Sequence, residues 1–168
     1  RLANSVKAGN IDLYHLYSLY FLLKKQTPER LQWLEAAAVA GNARAQLHWA
    51  KHLLSLEKPN EQKAVEWMLE AAKNGELAAI QWLTEYYFRN EKWKHAAGWA
   101  ESGMNYSDLR SSLQLAYIYS LEPEGTDFKE SDAVVVYESI AKEHDSVEAR
   151  YLWARLLLSG RSVKHDPE

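Results

Sequence analysis

From Asn42 to Leu56, and again from Leu77 to Phe88, apolar residues recur at steps of three and four, the period of one helix face. Turn chemistry separates such stretches. Pro59 with Asn60, and Pro123 with Gly125, interrupt the pattern, while Gly41-Asn42 and Asn74-Gly75 supply residues suited to a tight helix-to-helix turn. Thr27 followed by Pro28 reads as a cap with proline at the first helical position. The most apolar run, Tyr14 to Leu23, is interrupted by His15 and Ser18 and closes on Lys24-Lys25, well short of the ~20 residues a membrane-spanning helix needs.

The helical stretches repeat. W-L-E-A-A-A-V-A-G-N-A-R-A from Trp33 aligns with W-M-L-E-A-A-K-N-G-E-L-A-A from Trp67, and the same frame continues at Trp99 and Tyr137, with spacings of 34, 32 and 38 residues. Eight positions after each anchor stand Gly41, Gly75, Ser107 and Asp145, and four further on Ala45, Ala79, Ser111 and Ala149. A second small-residue column holds Ala50, Thr84, Ala116 and Ala154, each preceded by a large residue: Trp49, Leu83, Leu115 and Trp153. Small side chains at fixed columns let two helices cross closely, and large ones opposite fill the gaps. A helix-turn-helix period of this length predicts an α-solenoid in which each repeat covers its neighbour's apolar face.

The stretch A-V-E-W-M-L-E-A-A-K-N-G (Ala64 to Gly75), followed by A-x-x-W-L-T-x-x-Y from Ala79 to Tyr87, resembles the Sel-like repeat family, relatives of the tetratricopeptide repeat. The resemblance covers essentially the whole chain. L-L-L-S-G-R-S-V-K-H-D-P-E (Leu156 to Glu168) looks like that family's interhelical loop, with Ser162 in place of its second glycine. The complete repeats depart from the pattern in having shorter, glycine-poor loops, closer to plain tetratricopeptide units. The resemblance implies an all-α, right-handed superhelical solenoid over residues 1–168. The boundaries expected are the end of a truncated repeat at 1–8, repeats at 9–40, 41–74, 75–106 and 107–144, and a truncated repeat at 145–168. A chain that opens on Arg1 and cuts repeats at both ends is expected to come from a longer parent.

Composition trims the functional classes. Twenty Lys and Arg against 23 Asp and Glu leave a net charge of −3, without the basic stripe of a nucleic-acid binder. The absence of cysteine excludes a thiol nucleophile, a thiolate metal site and the disulfide-stapled branch of the family. It is compatible with a bacterial periplasm or cell envelope, the setting favoured over the cytoplasm. Seven Trp and ten Tyr stand against three Phe. Most of these aromatics fall in the packing columns, and Trp82 and Tyr117 are the expected exceptions, while Trp93 is expected to close an apolar layer beside a short turn.

By resemblance, function belongs to the concave face lined by the first helix of each pair, where the family acts as a scaffold or adaptor. Counting from the large-residue column names Leu47, His48 and Lys51, then Gln81, Trp82 and Glu85, then Leu113, Gln114 and Tyr117, then Tyr151, Leu152 and Arg155. The candidate binding residues are His48, Lys51, Gln81, Trp82, Glu85, Gln114, Tyr117 and Arg155. An indole beside charges of both signs has the composition of a peptide-binding hot spot.

Catalytic chemistry finds little support. His48 and His52 have a spacing that can hold Zn²⁺, but H-W-A-K-H lacks the Glu after its first His and sets Lys51 between the two. The five acids between Glu122 and Asp132 lack the alternating order of a Ca²⁺ loop and read as a solvated insertion. Asn105-Tyr106-Ser107 matches a glycosylation sequon at a helix-turn column, a motif short enough to arise by chance. No phosphate-cradling glycine loop or nucleophile elbow occurs. The chain therefore reads as a non-enzymatic interaction scaffold without metal or cofactor, its partner a protein or peptide. The alternative is a bacterial envelope factor of polysaccharide export or cell-wall assembly, with aromatic contacts to sugar.

Overall fold

The computed structural model describes residues 28–159. These form eight α-helices and, among the described residues, no strand: α1 (Pro28–Val39), α2 (Ala43–Leu54), α3 (Glu61–Lys73), α4 (Leu77–Arg89), α5 (Trp93–Met104), α6 (Leu109–Ser120), α7 (Glu130–Glu143) and α8 (Val147–Ser159). The expected tail at Arg1–Ala8, the first helix of repeat 9–40, the Thr27 cap and the closing loop from Gly160 lie outside the described residues.

Local chemistry sets the helix ends. Pro28 opens α1, where its missing N–H costs nothing. The Asn42 side chain accepts from the Ala45 N–H at 2.9 Å, Asn60 from Lys63 at 3.1 Å and Asp108 from Ser111 at 2.8 Å, each meeting a donor that the first turn leaves orphaned. At the other ends the chain leaves through a left-handed residue. Gly41 has φ +93°, Gly75 +83°, Ser107 +57° and Asp145 +46°. At the first three, two backbone bonds close the exit: Gly41 N–H to Ala38 and Asn42 to Ala37, Gly75 to Ala72 and Glu76 to Ala71, Ser107 to Met104 and Asp108 to Gly103. These four coincide with the turn column of the sequence repeat, whereas Glu91 after α4 and Glu122 after α6 are left-handed outside it.

The small-residue columns are buried. Ala45, Ala79, Ser111 and Ala149 are all fully inaccessible, as are Ala50, Thr84 and Ala116. Serine is tolerated among the alanines because the Ser111 hydroxyl donates to Asp108 at 2.6 Å, so no buried polar group is left unmet. Ala154, in the same column as Ala50, is exposed on α8.

The chain divides into two compact units between Ile80 and Gln81, within α4. In the first, α2 packs against both α1 and α3. Leu34, Ala37, Ala38 and Ala45 form a buried cluster, with Trp33, Trp49 and Trp67 half-buried against it. The buried Gln46 ties helix ends together: its amide donates to the Ala38 carbonyl at 3.2 Å and accepts from the Asn74 side chain at 2.9 Å. In the second unit, α5 packs on α6, α6 on α7 and α7 on α8. One cluster there joins Ala96, Ala97, Ala100, Leu115 and Ile118; the other joins Ala116, Ala133, Tyr137, Ile140, Ala149 and Leu156. Within each unit these consecutive helices share their apolar contacts, the packing logic of helical repeats.

The aromatic columns are less deeply buried than their helical spacing implies. Tyr137 is 2% exposed, but Trp33, Trp67 and Trp99 in the same column keep part of their surface in solvent. An indole is large enough to cover the core and still reach water. Trp93 does close a layer, meeting Phe88 edge-on at 5.2 Å. The acids of the long loop serve α7 rather than solvent alone. Glu122 accepts from the Glu130 N–H at 2.9 Å, and Asp132 reaches back to the Lys129 N–H at 3.1 Å.

Candidate functional site

In the second unit a depression of about 710 Å³ opens between α6 and α8. Helical spacing assembles its walls. Leu109, Leu113 and Tyr117 lie four residues apart along α6, with Arg110 and Gln114 one step round; Glu148, Leu152 and Arg155 share one face of α8. Tyr137 of α7 contributes a buried ring. Burial pushes its phenol up to about 12, with Arg155 pulling the other way and Glu148 and Tyr117 adding to the rise. The hydroxyl therefore stays protonated, a donor, throughout the neutral range. Tyr117 is half exposed, its ring 5.9 Å from Phe88.

Two polar groups of the lining differ in what they can still bind. Asp108 is engaged: it accepts from the Ser111 N–H, the Ser111 hydroxyl and, at 3.0 Å, the Gln81 amide. Desolvation raises its carboxyl, but these hydrogen bonds and Arg110 outweigh that and hold it below the usual value. Gln114 is not satisfied. Its amide nitrogen donates to Glu85 at 3.4 Å, and its carbonyl oxygen is buried without a hydrogen-bond partner.

Of the eight residues singled out by column counting, the structure brings Gln114, Tyr117 and Arg155 into this depression. Gln81 and Glu85 act as ties beside it: Gln81 holds Asp108, while Glu85 pairs with Arg89 at 2.7 Å and accepts from Gln114. Trp82 stacks on Tyr86, ring centroids 5.1 Å apart, and does not line the depression. His48 and Lys51 belong to the first unit, in a smaller hollow of about 170 Å³ with Arg30, His52 and Ser55. Desolvation, then Lys51, Arg30 and Arg44, hold the His48 imidazole below its usual value and neutral at pH 7. The His52 ring lies 5.3 Å from Trp49, and among the described residues no group of three His, Cys, Asp or Glu could hold a metal ion.

Column counting misses Asp108, Leu109, Arg110, Tyr137 and Glu148 in the larger depression. It also misses a hollow of about 520 Å³ in the first unit, where Trp49, Trp67, Leu53 and Leu69 meet Glu35, Glu66, Glu70, Lys63 and Lys73. Assigning Trp49 and Trp67 to packing columns concealed it. The signal available was the charge of both signs around Trp67, at Lys63, Glu66, Glu70 and Lys73.

Two solved structures share this arrangement of helices. The Sel1 repeat protein from Oxalobacter formigenes superposes with a TM-score of 0.75 at 20% identity, over 92% of this chain and 68% of that one. The fold is the Sel1-like repeat fold. A second Sel1-like structure is c5321, a protective antigen present in uropathogenic Escherichia coli strains, with a TM-score of 0.68 at 20% identity. The match takes in 95% of this chain but spans 36% of c5321. No protein-family model matches the chain, and no curated protein matches it. The Sel1-like fold makes this an all-α solenoid of helical repeats. Among the described residues, no helix is long and apolar enough to cross a membrane.

Proposed function

We propose that this chain is a protein-interaction scaffold, and that the depression between α6 and α8 receives a segment of its partner. The observation that carries this reading is an apolar hollow of about 710 Å³ walled by Leu109, Leu113, Tyr137 and Leu152, with the half-exposed Tyr117 at its rim. A Tyr offers large contact area at low conformational cost, and apolar pockets with a few convergent polar groups are the usual form of a binding site. No catalytic constellation competes for the same residues. The Sel1-like fold is consistent with a scaffold role. Site-specific photo-crosslinking tests it: a benzophenone residue placed at Tyr117 should yield a discrete protein adduct in cells of the source organism. The same residue at Val135, exposed on α7, should not. Equal labelling from both positions would refute the assignment.

The polysaccharide reading has one observation in its favour, the hollow in which Trp49 and Trp67 meet three carboxylates and two ammonium groups. Indole faces with hydrogen-bonding groups around them suit a sugar ring. Tryptophan fluorescence titrated with envelope oligosaccharides should shift in the native chain and not in Trp67→Phe. An unchanged spectrum at millimolar ligand would dismiss this role.

A further inference from the structure

We infer that the depression between α6 and α8 selects a peptide segment in which an apolar side chain stands beside a carboxylate. The inference rests on the scaffold reading and adds the chemistry of the occupant. Formally the lining is neutral, with Arg110 and Arg155 against Asp108 and Glu148. What decides its preference is which of these groups are already engaged. Asp108 spends one carboxylate oxygen, Oδ2, on Ser111 and Gln81. Both guanidiniums are on exposed residues, and neither makes an ion pair or hydrogen bond among the described residues. Two forks without a hydrogen-bond or ion-pair partner thus line the hollow, against Glu148 and the remaining oxygen of Asp108. A guanidinium binds a carboxylate through two parallel hydrogen bonds, a geometry no single-point cation reproduces.

Gln114 points to a peptide rather than a simple organic acid. Glu85 fixes the direction of its amide, since a carboxylate can only accept and the nitrogen must face it. The carbonyl oxygen is left buried without a donor. A buried acceptor without a partner carries the full desolvation cost, which an incoming N–H relieves. A peptide backbone supplies that N–H next to its side chains. One occupant then meets all three features: an apolar side chain over Leu113, Tyr137 and Leu152, a backbone N–H for Gln114, and a neighbouring Asp or Glu for Arg155 and Arg110.

A randomised peptide library displayed on phage and selected on the full chain tests this, with an Arg110→Gln/Arg155→Gln double variant as the counter-target. Circular dichroism should show unchanged helicity in the double variant, because both side chains are exposed. Enriched peptides should pair Asp or Glu with Leu, Ile or Phe. Replacing their acid by its amide should weaken binding about tenfold on the native chain and less than about twofold on the double variant. Peptides that need Tyr117, judged by Tyr117→Ala, but show no acid preference would overturn the charge selection and leave the groove standing. Peptides indifferent to Tyr117→Ala, or no enrichment over bare resin, would overturn the groove reading and this inference with it.

Discussion

At the turn column of four successive repeats the backbone passes through a left-handed residue, and glycine occupies two of the four positions. A side chain there presses its Cβ against the following carbonyl, at a cost of about 1–2 kcal/mol. Ser107 bears that cost with an exposed side chain that makes no hydrogen bond among the described residues, so Ser107→Gly should stabilise the chain by about 1 kcal/mol. Gly41→Ala should destabilise it by a similar amount, although open space surrounds the position, because the strain is in the backbone rather than in a clash. Urea melts of the two variants should move in opposite directions. Tyr137 carries a second residue-scale prediction. Its phenol is raised from 10.0 to about 12, so the unfolded chain gives up this proton first. Stability is intact below pH ~10 and is lost as the pH climbs toward 12, at about 1.4 kcal/mol per unit for this one group. Tyr137→Phe cannot ionise and should flatten that alkaline decline relative to the native chain.

Among the elements, α6 shows how one residue can close a helix and hold a site. Asp108 caps its first turn and anchors Gln81, with a carboxyl depressed by those hydrogen bonds despite its partial desolvation. A depressed carboxylate stabilises the fold above its unfolded value near pH 4, and that contribution fades as the pH falls through the folded value. Asp108→Ala should cost about 1–2 kcal/mol at neutral pH. Asp108→Asn should keep most of the cap and lose the acid dependence. Urea melts at pH 7 and pH 3.5 separate the two effects. Helix boundaries are legible in sequence where their signals are local: Asn42, Asn60 and Pro28 sit where the apolar period starts. The acids of the loop before α7 read as solvated because Glu122 reaches a backbone N–H eight residues away, a bond that depends on how the loop folds back. The site divides in the same manner. Column counting reaches Gln114, Tyr117 and Arg155 because they repeat at helical spacing. Tyr137 escapes it because its column serves the core elsewhere in the chain, and Arg110 and Glu148 escape it because they sit a turn earlier on each helix.

For the whole molecule, the question is how far a lesion spreads. In a repeat protein stability is approximately a sum of local terms and nearest-neighbour interfaces, so damage should stay near its source. The two units each carry their own buried clusters, Leu34 with Ala37, Ala38 and Ala45 in the first, Leu115 and Ile118 with Ala96, Ala97 and Ala100 in the second. Leu34 is 1% exposed, and Leu34→Ala removes side-chain volume that its alanine neighbours are too short to replace; such truncations cost about 2–5 kcal/mol. Native-state hydrogen exchange should therefore show protection falling by roughly two to three orders of magnitude in α1 and α2. The amides of Leu115 and Ile118 in α6 should exchange within about twofold of their native rates. Ile118→Ala should reverse the pattern, loosening α5 and α6 while sparing α1 and α2. Equal loss of protection in both units for both variants would mean that the chain opens as one cooperative body, and the division at Ile80 would then have no energetic counterpart.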